Sequence, residues 1–370
     1  MLPWAKLAEL GWVGVDLFFV ISGFLIAGIL LDTRGGPHFY RNFYARRMLR
    51  IFPLYYLFVG VCLIAFPLTQ SGSYFATPFM RSAGSPLWYL FYLGNVPEAI
   101  GHEPPYVLGP IWSLAIEEQF YIVFPFLVAT LDRAKLQKLL LGLIISAPLF
   151  RLMALILAPG NERIQYLATP CRMDCIAFGC LLAFLLRGTS TLRARFTRRS
   201  TAWALGLGLL ACASAFPFGV LTRSTACGRV VGYSLIAATF AALVAFVLAR
   251  RDAQSTAFLR WAPLRYAGKI SYGIYLLHRP ADVFVDKVLA RLDLLDASTA
   301  GIAGSVGSIA LKFGVAIAFA SASWYVFEKP LLRLKDRFHA TNHPADGALP
   351  AGAGPARSVS IVPDRAILSE

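Results

Sequence analysis

The chain has 370 residues, 57% of them hydrophobic and only 15% charged, with a formal net charge of +15. Soluble domains average about 45–50% apolar and about 25% charged residues, so this composition excludes an ordinary water-soluble fold. The arginines sit in short stretches between apolar runs, which argues against a nucleic-acid partner and matches the positive-inside pattern of a multi-pass membrane protein.

Nine apolar spans are predicted, near 12–31, 51–69, 111–131, 139–158, 173–187, 201–219, 230–249, 267–290 and 301–327. Most approach the roughly 20 residues that a helix needs to cross a bilayer. The fold class is therefore all-α, a polytopic transmembrane helix bundle. The connecting loops are of two kinds. Loop 32–50 carries five arginines, 132–138 carries Arg133, Lys135 and Lys138, 187–199 carries five arginines, and 250–265 carries four. Loops 70–86, 159–170 and 291–300 hold one arginine each, and 220–229 holds Arg223 and Arg229. The alternation puts the basic loops in the cytoplasm, the N-terminus outside and the C-terminus inside. Residues 86–100 are apolar and aromatic but short, and read as a re-entrant or interfacial piece. The transmembrane domain is expected to cover 1–338. Residues 339–370, rich in Ala, Gly, Pro and Ser, are expected to form a disordered cytoplasmic tail. Residues 1–10 show no cleavable signal peptide. Cys171, Cys175 and Cys180 fall at the start of a span and read as core packing; no ligand spacing completes a metal site and no disulfide framework is expected.

Polar groups inside the apolar runs are the candidate site. Asp16 opens the first span, where a carboxylate needs a partner or water. Arg46, Arg47 and Arg50 follow the span; Arg47 and Arg50 are three apart and share a face on a helix. Guanidinium forks suit phosphate, so the cluster reads either as a phosphate clamp or as a topological signal. Ser113 and Glu117 are four apart and share a face. Glu118 points elsewhere and fits better with a headgroup or a loop arginine. Arg172 and Asp174 begin a span and read as structural, each pairing with another helix. His278 and Arg279 lie within a span, next to Pro280. They call for a wet cavity, in which a histidine can act as a general base. Glu328 closes the last span, where it can meet the arginines of 41–50.

Taken in order, these stretches resemble the acyltransferase 3 family of integral membrane acyltransferases. The resemblance rests on Gly-Val-Asp16-Leu-Phe-Phe-Val-Ile-Ser-Gly-Phe-Leu-Ile and Arg47-x-x-Arg50-Ile-x-Pro53. It continues in Trp112-Ser-Leu-Ala-Ile-Glu-Glu-Gln-Phe-Tyr121, Ile270-Ser-Tyr-Gly-Ile-Tyr-Leu-Leu-His278 and Tyr325-Val-Phe-Glu328-Lys-Pro330. It runs from Gly11 to Phe338. It implies a ten-span bacterial inner-membrane fold and transfer of an acyl group, usually acetyl from acetyl-CoA, to a hydroxyl of a sugar or cell-surface polysaccharide. It ties Arg47 and Arg50 to donor handling. Members of the family begin with one more span, which carries an arginine and a histidine thought to be catalytic. Nothing of that kind precedes Gly11, and a nine-span count starts outside. Both arguments predict a missing first helix, through a misplaced start or a truncation.

The expected chemistry is acyl transfer to an alcohol. Acyl-CoA is expected as co-substrate, with no cofactor permanently bound. Its phosphates would meet Arg46, Arg47 and Arg50, with Glu328 as one wall. The acceptor would lie near Asp16, Ser113, Glu117 and His278. The expected partners are the acyl-CoA donor, the polysaccharide acceptor and membrane lipids. A transporter of a lipid-linked sugar or small solute, and a truncated inactive acyltransferase, stay open as alternatives.

Overall fold

The computed structural model describes residues 9–68, 85–188, 196–292 and 301–338. The chain divides into Met1–Ala340 and Thr341–Glu370. The expected tail, 339–370, lies outside the described residues, as do 1–8, 69–84, 189–195 and 293–300.

Nine long helices among the described residues stand where the nine apolar spans were expected. They are α1 (Val13–Thr33), α2 (Phe39–Leu68), α3 (Ile111–Thr130), α4 (Arg133–Leu157) and α5 (Met173–Leu186), followed by α6 (Arg198–Ala215), α7 (Tyr233–Ala249), α8 (Ser271–Arg291) and α9 (Gly301–Ser323). Among the described residues, six helical stretches are long and apolar enough to cross a membrane: Val13–Thr33, Tyr106–Thr130, Arg133–Leu157, Arg198–Phe218, Gly228–Ala249 and Val306–Leu332. The molecule is an all-α helical membrane protein. Residues 86–100 form two short helices, Leu87–Leu90 and Asn95–Ala99, with a left-handed Tyr92 between them.

The differences from the sequence reading have local causes. The basic stretch 32–50 was expected to be a loop, but it is helical from Phe39 onward, just after a left-handed turn at Gly35 and His38. Arg41, Arg46, Arg47 and Arg50 therefore ride on α2, because Asn42 and Phe43 are buried on the same helix and extend its packed face. The span expected from 139 starts at Arg133, where Asp132 caps the helix by accepting from the Lys135 amide at 2.8 Å. The span expected from 201 starts at Arg198, behind a reciprocal Thr197–Ser200 cap. The span expected over 267–290 breaks at Ile270, between a short helix Ala262–Lys269 and α8.

One end of the bundle is basic. Arg34 donates to the Leu131 carbonyl, Arg133 to the Phe184 carbonyl and Arg250 to the Arg198 carbonyl. Arg187 makes a two-point ion pair with Asp32, at 2.6 and 2.7 Å. These bonds bring together the C-termini of α1, α3, α5 and α7 with the N-termini of α4 and α6.

The tightest packing is between α1 and α5. These helices run parallel, because Asp16 pairs with Arg172 at one end and Asp32 with Arg187 at the other. Between the two pairs, Gly23 faces the Ile176 carbonyl and Gly179 faces the Val20 carbonyl so closely that a Cβ on either would collide with backbone. Close backbone approach over small residues is how helices associate where lipid supplies no hydrophobic drive. α4, α5 and α7 are joined by a second buried pair. Arg151 donates to Asp174 at 2.9 Å and to Ser234 at 2.5 Å, and Ser234 donates to Asp174 at 2.6 Å. Arg172, just before α5, and Asp174, in its first turn, bind different neighbours.

Gly179→Ala is expected to lower the melting temperature of the detergent-solubilised protein, because the backbones must separate. Gly142→Ala, on α4 with nothing near its Cβ, is expected to leave it unchanged or raise it, since Ala favours a helix over Gly by up to about 1 kcal/mol. Equal losses in the two variants would contradict the close α1–α5 seam.

Candidate active site

Ser113, Glu117 and Tyr121 recur every four residues on α3 and so share one face. All three are buried. The Tyr121 hydroxyl donates to Glu117 Oε1 at 2.9 Å and is hydrogen-bonded to Ser22 on α1. The Arg47 guanidinium of α2 lies over the Tyr121 ring, 3.9 Å from its centre. Arg50, one turn further along α2, is within electrostatic range of Arg47, Tyr121, Glu117 and Glu328. Glu328 is buried beyond α9, where it accepts from Ser323 at 2.9 Å. Helix continues past it to Leu332. Glu328 therefore lies inside the bundle, not at its face.

Helix rise gives the depth of this cluster. Ser22 lies eleven residues before the end of α1, Arg50 eleven after the start of α2, and Tyr121 nine before the end of α3. At ~1.5 Å per residue, all three sit about 14–17 Å from the basic end. Val13–Thr33 and Tyr106–Thr130 are long enough to cross a hydrocarbon core of about 30 Å, and Ser22 and Tyr121 lie in the interior of these two spans. Charges that only fix orientation lie at the interface. Arg47 instead lies against Tyr121, in the interior of the α3 span.

A cleft with about 80 Å³ of water-accessible space, partly open to solvent, runs from the basic end to Arg47 and Arg50. Ile26, Ile29 and Thr33 of α1 form one wall, Gly36 and Pro37 the mouth, and Phe39, Asn42, Phe43, Arg46, Arg47 and Arg50 of α2 the other. Arg50 is deep in the bundle and yet exposed, because it borders this cleft.

A second polar group lies further from the basic end. Ser113 and Tyr275 are hydrogen-bonded through their hydroxyls at 2.5 Å, and Tyr275 also donates to the Pro110 carbonyl at 2.9 Å. His278, one turn along α8 and half-buried, has Nδ1 2.7 Å from the Tyr275 carbonyl. A carbonyl only accepts, so Nδ1 carries the proton and the neutral ring keeps a basic lone pair on Nε2. Arg279 stacks over Tyr106, 4.0 Å from its ring centre, and the Tyr106 hydroxyl donates to Asp282 at 3.0 Å.

Four side chains that the sequence singled out thus converge at mid-depth: Arg47, Arg50, Glu117 and Glu328. Ser113 and His278 form a separate group linked by Tyr275. Asp16 belongs to neither. It is fully buried against Arg172, beneath Tyr166 and Tyr233. Glu118 is only 5% exposed, so it is not at a headgroup interface. It lies within electrostatic range of Arg47, an arginine of the stretch expected to be a loop, and of Tyr55, Tyr56, Tyr92 and Tyr272. Packing against α2 and the 86–100 segment removes it from the interface. Ser22, Tyr121 and Tyr275 were not among the expected site residues. The four-residue step from Glu117 to Tyr121 was the available signal for one of them. Nothing local marks Ser22.

A family model for an acyltransferase domain matches residues 3–322. The YrhL protein of Bacillus subtilis is 31% identical over 347 residues, covering 87% of this chain and 50% of its own. The peptidoglycan O-acetyltransferase OatA of Listeria monocytogenes is 30% identical over 299 residues, 77% of this chain and 47% of its own. The O-acetyltransferase OatA of Staphylococcus aureus is 29% identical over 293 residues, 75% of this chain and 47% of its own. The chain spans about half the length of these curated relatives. No solved structure matches it at a significant level.

Glu117→Gln is expected to lower turnover by about 100-fold or more, the scale of a lost proton-transfer group. Glu118→Gln is expected to stay within about tenfold, since the Tyr121 hydroxyl holds Glu117 by a hydrogen bond while Glu118 meets Arg47 at electrostatic range. Rates measured on equal amounts of folded protein check this, and equal losses would contradict the assignment to separate faces.

Proposed function

The chain belongs to the acyltransferase-domain family, and from that premise we propose that it is an integral membrane O-acyltransferase moving an acyl group from acyl-CoA to a hydroxyl of a cell-wall polysaccharide. The observation that carries the reading is the arginine-lined cleft, which opens at the basic end and reaches Arg47 and Arg50, where Arg47 stacks on the buried Tyr121 that holds Glu117. A transporter needs a path that can open to either side. This cleft ends on charged groups suited to stabilising a reaction. We place the basic end in the cytoplasm by the positive-inside rule, and take the membrane to be a bacterial inner membrane, as the resemblance implies. Acyl-CoA is made in the cytoplasm. The names of the two OatA relatives support acetyl as the acyl group, and that of the Listeria protein supports peptidoglycan as the acceptor.

The acceptor approaches from the opposite side, where Ser113, Tyr275 and His278 supply hydroxyls and a free imidazole nitrogen. Glu117 receives the proton that the attacking hydroxyl loses. Its hydrogen bond from Tyr121 holds the carboxylate in place, and Arg47 and Arg50 balance its charge. Two adjacent charges of opposite sign within the membrane cost less than either alone.

The test is a vesicle assay with the basic end outward. Addition of acetyl-CoA outside and chitotetraose inside is expected to release free CoA thiol and to leave acetyl on the glycan. Glycan movement with no thiol release would favour the transporter reading instead.

A further inference from the structure

We infer that Arg47 and Arg50 act on the reacting carbonyl of the acyl donor and do not hold its phosphates. The inference rests on the acyl-CoA reading above and deepens it. Its basis is the depth of the cluster, which three helices fix independently. Ser22 on α1, Arg50 on α2 and Tyr121 on α3 all lie about 14–17 Å from the basic end, at ~1.5 Å of helix rise per residue. A donor that put its phosphates at this level would bury its nucleotide in the hydrocarbon. Several unneutralised charges there are prohibitive. The arm that joins the phosphates of CoA to its thioester is long, thin and uncharged, and its length is of the same order as this depth. With the phosphates at the mouth, by Gly36 and Pro37, the arm runs between Ile26 and Ile29 on one side and Phe39 and Phe43 on the other. The thioester then arrives at the arginines.

Cations also lie nearer the basic end. Arg46 lines the cleft one position before Arg47, Arg41 is exposed near the start of α2, and Arg333 is exposed on the short helix 333–338 that packs against α2. These suit phosphates in water. At mid-depth, the Arg47 Nε is buried with no hydrogen-bond partner among the described residues, and Arg50 borders the cleft.

The step balances as follows. The acceptor oxygen forms a bond to the thioester carbonyl carbon and gives its proton to the Glu117 carboxylate. The carbonyl oxygen takes up negative charge, which the Arg47 and Arg50 guanidinium groups stabilise. The carbon–sulfur bond breaks as the carbonyl reforms. The thiolate leaves and takes the proton back from Glu117. The products are the O-acyl ester and free CoA thiol.

The test compares two donors in wild type, Arg50→Lys and Arg41→Gln, with chitotetraose as the acceptor probe. Acetyl-CoA carries the phosphates, and S-acetyl-pantetheine lacks them. Thiol release gives kcat and KM, and binding of free CoA is measured separately. Arg50→Lys is expected to lower kcat by about 100-fold, the scale of losing one oxyanion donor, and by the same factor with both donors. Its binding of CoA is expected to match wild type, which also shows that it is folded. Arg41→Gln is expected to raise KM for acetyl-CoA alone. An Arg50→Lys defect that appears as a higher KM or weaker CoA binding, or that vanishes with S-acetyl-pantetheine, overturns the inference while leaving the transferase reading intact. A wild-type chain that releases no thiol from either donor overturns both.

Discussion

The parallel contact between α1 and α5 is what the rest of the bundle depends on. Two ion pairs set its register: Asp16 with Arg172, fully buried, and Asp32 with Arg187 at the basic end. Gly23 and Gly179 let the backbones meet between them. A buried pair of this kind contributes little net energy, since desolvation offsets attraction, but removing one partner costs about 3–5 kcal/mol because a lone charge is left in a medium that cannot solvate it. The pair therefore acts as a register lock. With α1 held on one side by α5, its other side is free to present Ser22 to Tyr121, and Ile26, Ile29 and Thr33 to the cleft. A one-turn slip of α1 would misplace all four.

The same constraint explains why so many charges sit inside an apolar bundle. Each is used twice, once for packing and once for placement. Arg151 ties α4 to α5 and α7 through Asp174 and Ser234. Arg229 reaches Glu162 at 2.7 Å, and Arg223 lies over the Tyr166 ring, 3.8 Å from its centre. Arg47 and Arg50 differ from these, since they line an open cleft instead of closing a gap between helices. The glutamates near them come from two directions, Glu117 from α3 and Glu328 from beyond α9.

Much of this was legible in the chain. Nine apolar runs mark nine helices, and the alternation of basic loops marks which ends lie together. What failed was the start of α2, because four arginines mask a packed face that the buried Asn42 and Phe43 make plain once the helix is built. The partners of the buried charges were also out of reach. Arg172 lies 156 positions from Asp16 and Arg151 lies 23 from Asp174, and no local rule links positions so far apart. Within the site, four-residue spacing revealed that Ser113 and Glu117 share a face. It could not reveal that Ser113 turns to Tyr275 while Glu117 turns to Tyr121, since that choice depends on which helix packs where.

The central claim is that a donor enters from the basic end and reaches the arginines at mid-depth. Ile29→Cys places a thiol on the cleft wall, and its labelling by a charged maleimide can be read against the wild-type background in vesicles of known orientation. The account predicts labelling from the basic side only, and protection when CoA is present. Labelling from the opposite side, or labelling that CoA leaves unchanged, would contradict it.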